Sequence, residues 1–218
     1  MWYDLLAPAY DRSLDALYRP HRAAVAAALG DVRGRLVLDI ACGTGQALEA
    51  LVEAVGPGGH VVGIDASAGM LKRATARVKA AGWPNVTLAR GDAHAFDVSH
   101  LRHTSGAEDA DGVVACLALT VLDDWEAAFA RTFDDLKPGG RYVILDVHNP
   151  APTLRDRVAE WVAQADIRRE VWRLLEAATP DFEMRDLDAD RVRIGGRLFL
   201  ASGTKPAAPP PQVPAAEA

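Results

Sequence analysis

Short apolar runs alternate with amphipathic segments along most of the chain, and this alternation restricts the folds that are open to it. The runs are rich in Val, Leu and Ile and lie at residues 35–40, 60–65, 86–91, 111–117 and 140–147. The segments between them have the apolar spacing of helices and lie at residues 45–55, 67–81 and 123–136. Strands that are apolar on both faces are typical of parallel sheets with helices on each side. The sequence therefore predicts an α/β fold with right-handed crossovers and a doubly wound, largely parallel sheet.

The two ends of the chain differ from this middle part. A helix is predicted over residues 19–29, ahead of the first strand, and a longer one over residues 154–177. Residues 182–188 and 196–203 have the pattern of two strands joined as a hairpin, which would place an antiparallel pair at one edge of the sheet.

The length of 218 residues is sufficient for one α/β domain, which we predict at residues 1–204. Residues 1–30 are predicted to form an N-terminal helical lid on this domain. Residues 205–218 contain five prolines and almost no apolar bulk, so we predict a disordered Pro/Ala tail there.

Charge and cysteine content limit the possible partners. The net charge of -6 argues against a nucleic-acid binder, because neutralising phosphates requires a basic face. An uncharged apolar stretch of about 18 residues, the length of a membrane-spanning helix, does not occur, so no stable membrane insertion is expected. Cys42 and Cys116 both lie in apolar runs, which favours reduced thiols in a cytoplasmic protein. We expect a monomer or homodimer whose partner is a small molecule.

A glycine turn and three acids mark the predicted ligand site. Gly43 and Gly45 follow the first strand, and a parallel sheet binds its ligand beyond the carboxyl ends of its strands, where the strand order reverses. Asp65 ends the second strand, where a carboxylate can accept both hydroxyls of a ribose. Asp92 follows the third strand and could accept an adenine amine, while Asp39 would face the ligand cleft from within the first strand.

The surroundings of the glycines narrow the choice of ligand. No Lys-Ser/Thr pair follows them, so a Walker phosphate loop is excluded. The dinucleotide fingerprint needs a third glycine where this chain has Leu48. This counts against an NAD-dependent dehydrogenase, which stays an alternative. The negative charge of Asp39 beside the turn suits a ligand with an ammonium or sulfonium group. Adenosine with a cationic amino-acid tail is S-adenosylmethionine.

Five ordered motifs resemble those of the class I S-adenosylmethionine-dependent methyltransferases, at residues 37–45, 62–67, 91–93, 111–119 and 136–146. The resemblance implies a Rossmann-like sheet of seven strands in the order 3-2-1-4-5-7-6, with the last strand antiparallel. The opening YDLLAPAYD and the turn LKPGG are most similar to quinone C-methyltransferases and bacterial phospholipid N-methyltransferases. No Asn/Asp-Pro-Pro-Tyr follows the fourth strand, where amide and exocyclic-amine methylases carry it.

The same resemblance implies a cofactor site. Asp65 would bind the ribose, Asp92 and the backbone N–H of Ala93 the adenine, and Asp39 the ammonium group. The carbonyl of Leu117 could bind that ammonium as well. Residues that would complete the cofactor site are Ala41, Gly43, Gly45, Ala66 and Met70. Four of these residues have an alternative: a helix-capping acid for Asp65, an ordinary loop acid for Asp92, a structural carboxylate bonded to turn amides for Asp39, and a position in the core for Met70.

The acceptor side is less defined by the sequence. His148 is the best candidate for a catalytic base, with Asn149 beside it, although a solvated loop histidine is an alternative. Asp146 is the next candidate. Tyr3 and Tyr10 could supply aromatic walls for the acceptor. Further aromatic candidates for these walls are Tyr18, Trp161 and Trp172.

No metal site is predicted, because the spacing of His94, His100 and His103 does not match a zinc motif and no cysteine lies near them.

Together with the resemblance, the ligand site predicts methyl transfer to a small, quinone-like or otherwise hydrophobic acceptor. A phospholipid N-methyltransferase and a binding protein that holds the cofactor without catalysis are the alternatives.

Overall fold

Seven strands form one sheet at the centre of the molecule. The computed structural model describes residues 18–93, 109–153, 157, 164–189 and 195–207. The strands are β1 (Leu36–Ile40), β2 (His60–Asp65), β3 (Val86–Arg90), β4 (Ala110–Cys116), β5 (Leu136–His148), β6 (Glu183–Asp186) and β7 (Arg197–Thr204). The described helices are α1 (residues 18–28), α2 (Leu48–Val55), α3 (Ala68–Ala81), α4 (Trp125–Asp134) and α5 (Arg173–Ala178).

The sheet has the order β3-β2-β1-β4-β5-β7-β6. Its first five strands are parallel, and β7 runs antiparallel to both β5 and β6. This confirms the strand order and the antiparallel pair at one edge that the sequence predicted. The order reverses between β1 and β4, so the carboxyl ends of β1, β2 and β4 meet at one edge of the sheet, around the switch point.

Alternate residues of the central strands fill two separate hydrophobic clusters. In β1, Leu38 and Ile40 lie in the cluster on one face, while Val37 lies in the cluster on the other. In β4, Val113 and Val114 are divided between the clusters in the same way. All of these side chains are buried, because helices cover both faces of the sheet, and this explains the continuous apolar runs in the sequence.

The ends of α3 are determined by local sequence. The hydroxyl of Ser67 accepts a hydrogen bond from the backbone N–H of Met70 at 3.2 Å and so caps the start of the helix. Gly82 ends the helix in a left-handed conformation, φ 68°, and its N–H bonds to the carbonyls of Val78 and Lys79. The start of α3 is thus held directly after Asp65, at the ligand edge of the sheet.

Two predicted elements differ most from the structure in their bounds. The helix predicted over residues 154–177 is wrong for residues 164–172, which form turns, and only α5 is helical there. The reason is that the Asp166 N–H and the Arg169 guanidinium bond to carbonyls of the loop after β4, which holds this segment in turns. Strand β5 begins at Leu136, earlier than predicted, because Gly139 and Gly140 pair with Lys205 through backbone hydrogen bonds.

Several predictions concern residues outside the described part of the chain. They include most of the N-terminal lid, most of the tail, and the side chains of Tyr3, Tyr10, His94, His100, His103 and Trp161. Within the described residues, no helix has both the length and the apolar character that crossing a membrane requires.

Candidate functional site

A cavity of about 290 Å³ opens at the carboxyl ends of β1, β2 and β4. It therefore lies at the switch point of the sheet, where the sequence predicted a ligand. Residues predicted for the cofactor that do line this cavity are Asp39, Ala41, Gly43, Asp65, Ala66, Met70 and Leu117. Residues separated by up to 78 positions in the sequence are brought together here because parallel strands end at the same edge.

The turn after β1 requires unusual backbone conformations. Ala41 and Gly43 have φ values of 49° and 56°, in the left-handed region. A Cβ atom at Gly43 would meet nothing within 4 Å, so this glycine leaves open space beside the backbone that lines the cavity. Gly45 does not line the cavity. A Cβ atom there would come within 2.6 Å of Leu48 and 3.2 Å of Ala74, so Gly45 allows α2 and α3 to approach the turn.

The carboxylate of Asp65 joins the glycine turn to the start of α3. One of its oxygens accepts a hydrogen bond from Gly43 N–H and the other from Ser67 N–H, both at 2.8 Å. Burial raises the pKa of Asp65, and these two hydrogen bonds oppose that rise. Each carboxylate oxygen has a further lone pair, so Asp65 can accept two more hydrogen bonds from a ligand in the cavity.

Asp39 is a buried carboxylate in the cavity wall, with an exposed fraction of 1%. Its Oδ2 atom has no hydrogen-bond partner among the described residues. Burial raises its pKa to about 7, and the negative charge of Asp65 adds to this rise while the positive charge of Arg22 opposes it. An unsatisfied buried carboxylate is costly, so a cationic group in the cavity would supply the partner that Asp39 lacks.

Arg22 was not identified from the sequence. It lies on α1, is buried, lines the cavity and donates a hydrogen bond to the side-chain oxygen of Gln46. A signal for it exists, because Tyr18, Arg22 and Val25 lie on one face of α1 by their spacing. Tyr18 and Val25 belong to the core, so an arginine between them points inward. A cation beside Asp39 gives the cavity both signs of charge.

The loop after β4 forms an apolar wall of the cavity. The loop contributes Leu117, Val121 and Leu122, next to Cys116 at the end of β4. Leu117 has a φ of 54°, which is strained for a residue with a side chain, and its N–H bonds to the carbonyl of Leu145 at 2.7 Å. Asp146, on strand β5, holds the loop against the sheet. Its carboxylate accepts hydrogen bonds from the Thr120 hydroxyl at 2.7 Å and from the Thr120 N–H at 3.2 Å.

Burial raises the pKa values of acidic side chains in and near the cavity. Burial raises the pKa of Asp146 to about 6. The hydrogen bonds from Thr120 and from the backbone N–H groups of Val147 and Leu119 oppose the rise. Asp146 is engaged in these contacts and does not line the cavity.

Cys42 and Cys116 both line the cavity as free cysteines. Burial raises the pKa of Cys116 to about 12, so it is a neutral thiol at neutral pH.

His148 and Asn149 are not brought to the described cavity. The His148 ring contacts Trp172 edge-on, with ring centres 4.7 Å apart, and burial together with nearby Arg197 lowers its pKa. The Asn149 side chain donates to the carbonyl of Gly195 at 2.9 Å. Their roles in proton transfer and acceptor binding stay predictions, and so do those of Tyr3 and Tyr10, which lie outside the described residues.

Asp92 and Ala93 also lie apart from the described cavity lining. They follow β3 at the same edge of the sheet, one strand beyond Asp65, and Gly91 N–H bonds to the carbonyl of Asp65 at 3.2 Å. Asp92 is exposed and Ala93 is buried. Their contact with adenine stays a prediction. Over the described part of the chain, no three His, Cys, Asp or Glu side chains are grouped so that they could hold a metal ion.

Comparison with known proteins gives the site a context. Residues 37–140 match the family model of a methyltransferase domain. A demethylmenaquinone methyltransferase of Lactococcus lactis is 35% identical over 122 residues, which are 56% of this chain and 46% of that protein. A 2-phytyl-1,4-naphtoquinone methyltransferase of Thermosynechococcus vestitus is 30% identical over 166 residues, which are 74% of this chain and 70% of that protein. The chain thus spans less than half the length of the Lactococcus relative.

A solved structure supports the fold. A SAM-dependent methyltransferase from Aquifex aeolicus superposes with a TM-score of 0.63 at 18% identity, covering 91% of this chain and 98% of that one. The strand order, the acids at the strand ends and the identity to the Thermosynechococcus protein agree with one another. From them it follows that the chain belongs to the class I S-adenosylmethionine-dependent methyltransferase family.

Proposed function

We propose that this chain binds S-adenosylmethionine in the cavity and transfers its methyl group to an apolar, quinone-like small molecule. The observation that carries the proposal is the pair of carboxylates at the switch point. Asp65 is held by two backbone N–H groups, and Asp39 is buried with one oxygen that has no partner among the described residues. A nucleoside with a cationic tail satisfies both.

Opposite charges would hold the amino-acid part of the cofactor. The ammonium group would pair with Asp39 and donate a second hydrogen bond to the carbonyl of Leu117, which directly follows the neighbouring strand β4. The carboxylate would pair with Arg22, whose guanidinium has the fork geometry that carboxylates prefer. These partners lie on different elements, α1, β1 and the loop after β4, so the folded chain is needed to bring them together.

The adenosine part would lie across the ends of β2 and β3. Asp65 would accept hydrogen bonds from the ribose hydroxyls, using the lone pairs that Gly43 and Ser67 leave free. Ala66 and Met70 line the cavity beside Asp65 and would contact the adenine ring. Asp92 and Ala93, one strand further out, would bind the polar edge of that ring.

The bound cofactor supplies an electrophilic methyl group, so the chain's own contribution is to align the acceptor and to exclude water. Alignment of two reactants in a site contributes a large part of the acceleration in such displacements. The wall of Leu117, Val121 and Leu122 carries alkyl side chains, and water is excluded where such side chains close a cavity. Tyr18 adds an aromatic ring on the side of α1.

The quinone-like acceptor is supported by the apolar wall and by two relatives. Both relatives described above are named for methylation of naphthoquinone-type compounds. A flat, apolar ring fits a wall of branched alkyl side chains and one aromatic ring. We further propose that the protein acts in the cytoplasm, where its two free thiols stay reduced.

One experiment tests both parts of the proposal. The purified chain is titrated by calorimetry with S-adenosylhomocysteine and with NAD, and is then incubated with methyl-labelled S-adenosylmethionine and the reduced form of a demethylated, prenylated naphthoquinone. Phosphatidylethanolamine vesicles serve as the comparison acceptor. We expect a Kd of about 1 μM for S-adenosylhomocysteine, equivalent to about 8 kcal/mol, no comparable NAD binding, and label in the naphthoquinone. If NAD binds and S-adenosylhomocysteine does not, the proposed cofactor is wrong. If the label appears in the lipid, the proposed quinone-like acceptor is wrong.

A further inference from the structure

An irregular segment at residues 164–170 packs on the outside of the loop that forms the apolar wall. Asp166 N–H donates to the carbonyl of Thr120 at 2.8 Å. Arg169 donates through Nη1 to the carbonyl of Leu122 at 2.6 Å and to that of Leu119 at 3.4 Å. Three carbonyl groups of one short loop are thus bound by two residues that lie more than forty positions further along the chain.

The loop is therefore held from two sides. From the sheet, Asp146 binds the hydroxyl and the N–H of Thr120. From outside, Arg169 binds the carbonyls on either side of Thr120, and Asp166 holds the guanidinium of Arg169 in place with 3.6 Å between Oδ2 and Nε. The side chains between these anchors, Val121 and Leu122, line the cavity.

We propose that Arg169 is a positioning residue that sets how far Val121 and Leu122 reach into the acceptor side of the cavity. This inference rests on the proposed function, because it assigns the apolar wall to the acceptor. Arg169 itself does not line the cavity, so its action passes through the two carbonyls that it binds. Asp39, Asp65 and Arg22 lie on other elements, and their contacts given above do not involve Arg169, so we expect the loss of Arg169 to leave those contacts intact.

The neighbouring Arg168 provides a matched control. It binds the other oxygen of the same carboxylate, Asp166 Oδ1, through Nε at 2.8 Å. Its side chain is 52% exposed, against 25% for Arg169. The two arginines thus share Asp166 as a partner, while the guanidinium of Arg169 also donates to the carbonyls of Leu119 and Leu122 in the loop that forms the cavity wall.

The test compares Arg169→Gln, Arg169→Lys and Arg168→Gln with the unchanged protein. We expect Arg169→Gln to raise the KM for the naphthoquinone acceptor about tenfold, as the loss of a charge-assisted hydrogen bond predicts, while the Kd for S-adenosylhomocysteine changes less than about twofold. Arg169→Lys restores part of the loss, because an ammonium group reaches one carbonyl but lacks the guanidinium fork. Arg168→Gln leaves both constants unchanged.

Hydrogen exchange gives a readout that does not depend on turnover. Exchange of the amides of Val121 and Leu122 should quicken in Arg169→Gln and not in Arg168→Gln, since the loop loses its outer anchor in the first variant alone. Unchanged exchange would overturn the inference, and so would equal loss of acceptor and cofactor binding, which indicates general loosening. If the unchanged protein binds S-adenosylhomocysteine but methylates no quinol, the proposed acceptor fails, while the exchange result still decides the role of Arg169 in holding the wall.

Discussion

The carboxylate of Asp65 accepts a hydrogen bond from the backbone N–H of Gly43 at 2.8 Å across a separation of 22 residues. This contact links the end of β2 to the turn after β1, and the second oxygen of Asp65 links the same turn to α3 through Ser67. The acid is therefore oriented by the backbone before any ligand arrives. Preorganised acceptors of this kind lose little conformational freedom when they bind.

We expect Asp65→Ala to weaken S-adenosylhomocysteine binding at least about 100-fold, because two hydrogen bonds between ribose hydroxyls and a charged group are lost, each worth about 1.5–3 kcal/mol. Calorimetric titration measures this change. Asp31→Ala is the control, since Asp31 is an exposed acid whose carboxylate bonds to Arg33 N–H in the turn before β1. Equal affinities in the two variants would contradict a ribose-binding role.

Asp39 should make cofactor binding dependent on pH. Its pKa in the empty cavity is raised to about 7, and an ammonium group beside it would lower that pKa. Below pH 7 the protein must release a proton from Asp39 when it binds S-adenosylhomocysteine, so affinity rises as the pH is raised from 5.5 to about 7 and then levels off. Calorimetry in buffers with different ionisation enthalpies counts the released protons. Asp39→Asn should abolish the proton release, and release that persists in this variant would assign it to another group.

The same carboxylate should reduce the stability of the empty protein. Because the folded-state pKa lies above the unfolded value of 3.8, the folded chain keeps the Asp39 proton up to a higher pH than the unfolded chain does. Stability is therefore lost as the pH rises from about 4 to 7, and the full penalty applies above pH 7. We expect Asp39→Asn to raise the free energy of unfolding at pH 8 by about 1–3 kcal/mol, with little gain at pH 4. Urea unfolding at both pH values measures this. A variant less stable than the unchanged protein at pH 8 would show that the Asp39 carboxylate makes a net stabilising contact.

Arg22 should recognise the carboxylate of the amino-acid tail. We expect Arg22→Met to weaken S-adenosylhomocysteine binding about 10-fold to 100-fold, the loss of one charge-assisted contact, and to leave 5′-methylthioadenosine unaffected because that nucleoside has no amino-acid tail. Calorimetry with both ligands separates the two effects. Arg19→Met, an exposed position on the same helix, is the control. Equal weakening of both ligands would mean that Arg22 supports the cavity as a whole.

The features that could be predicted from the sequence are those with a local cause. Continuous apolar runs reveal β1 and β4 because both faces of a central strand are buried, and Ser67 caps α3 through an atom three residues away. Asp39 and Asp65 could be assigned to one site because parallel strands end at one edge, and this reasoning needs only the strand positions. The order of all seven strands was implied by the resemblance to a known family, since spacing alone does not order the strands.

Residues whose position depends on packing between distant segments could not be placed this way. Arg22 reaches the cavity because α1 docks on the sheet, where Arg141 donates to the carbonyl of Ala28 across 113 residues. His148 is the last residue of β5, yet its ring contacts Trp172 and does not line the described cavity. The sequence by itself determined the strands, the glycine turn and the acids at its edge, because periodicity and backbone geometry are local properties. The tertiary structure alone decided which cation faces Asp39 and which segment holds the apolar wall, because those contacts exist only after distant parts of the chain pack together.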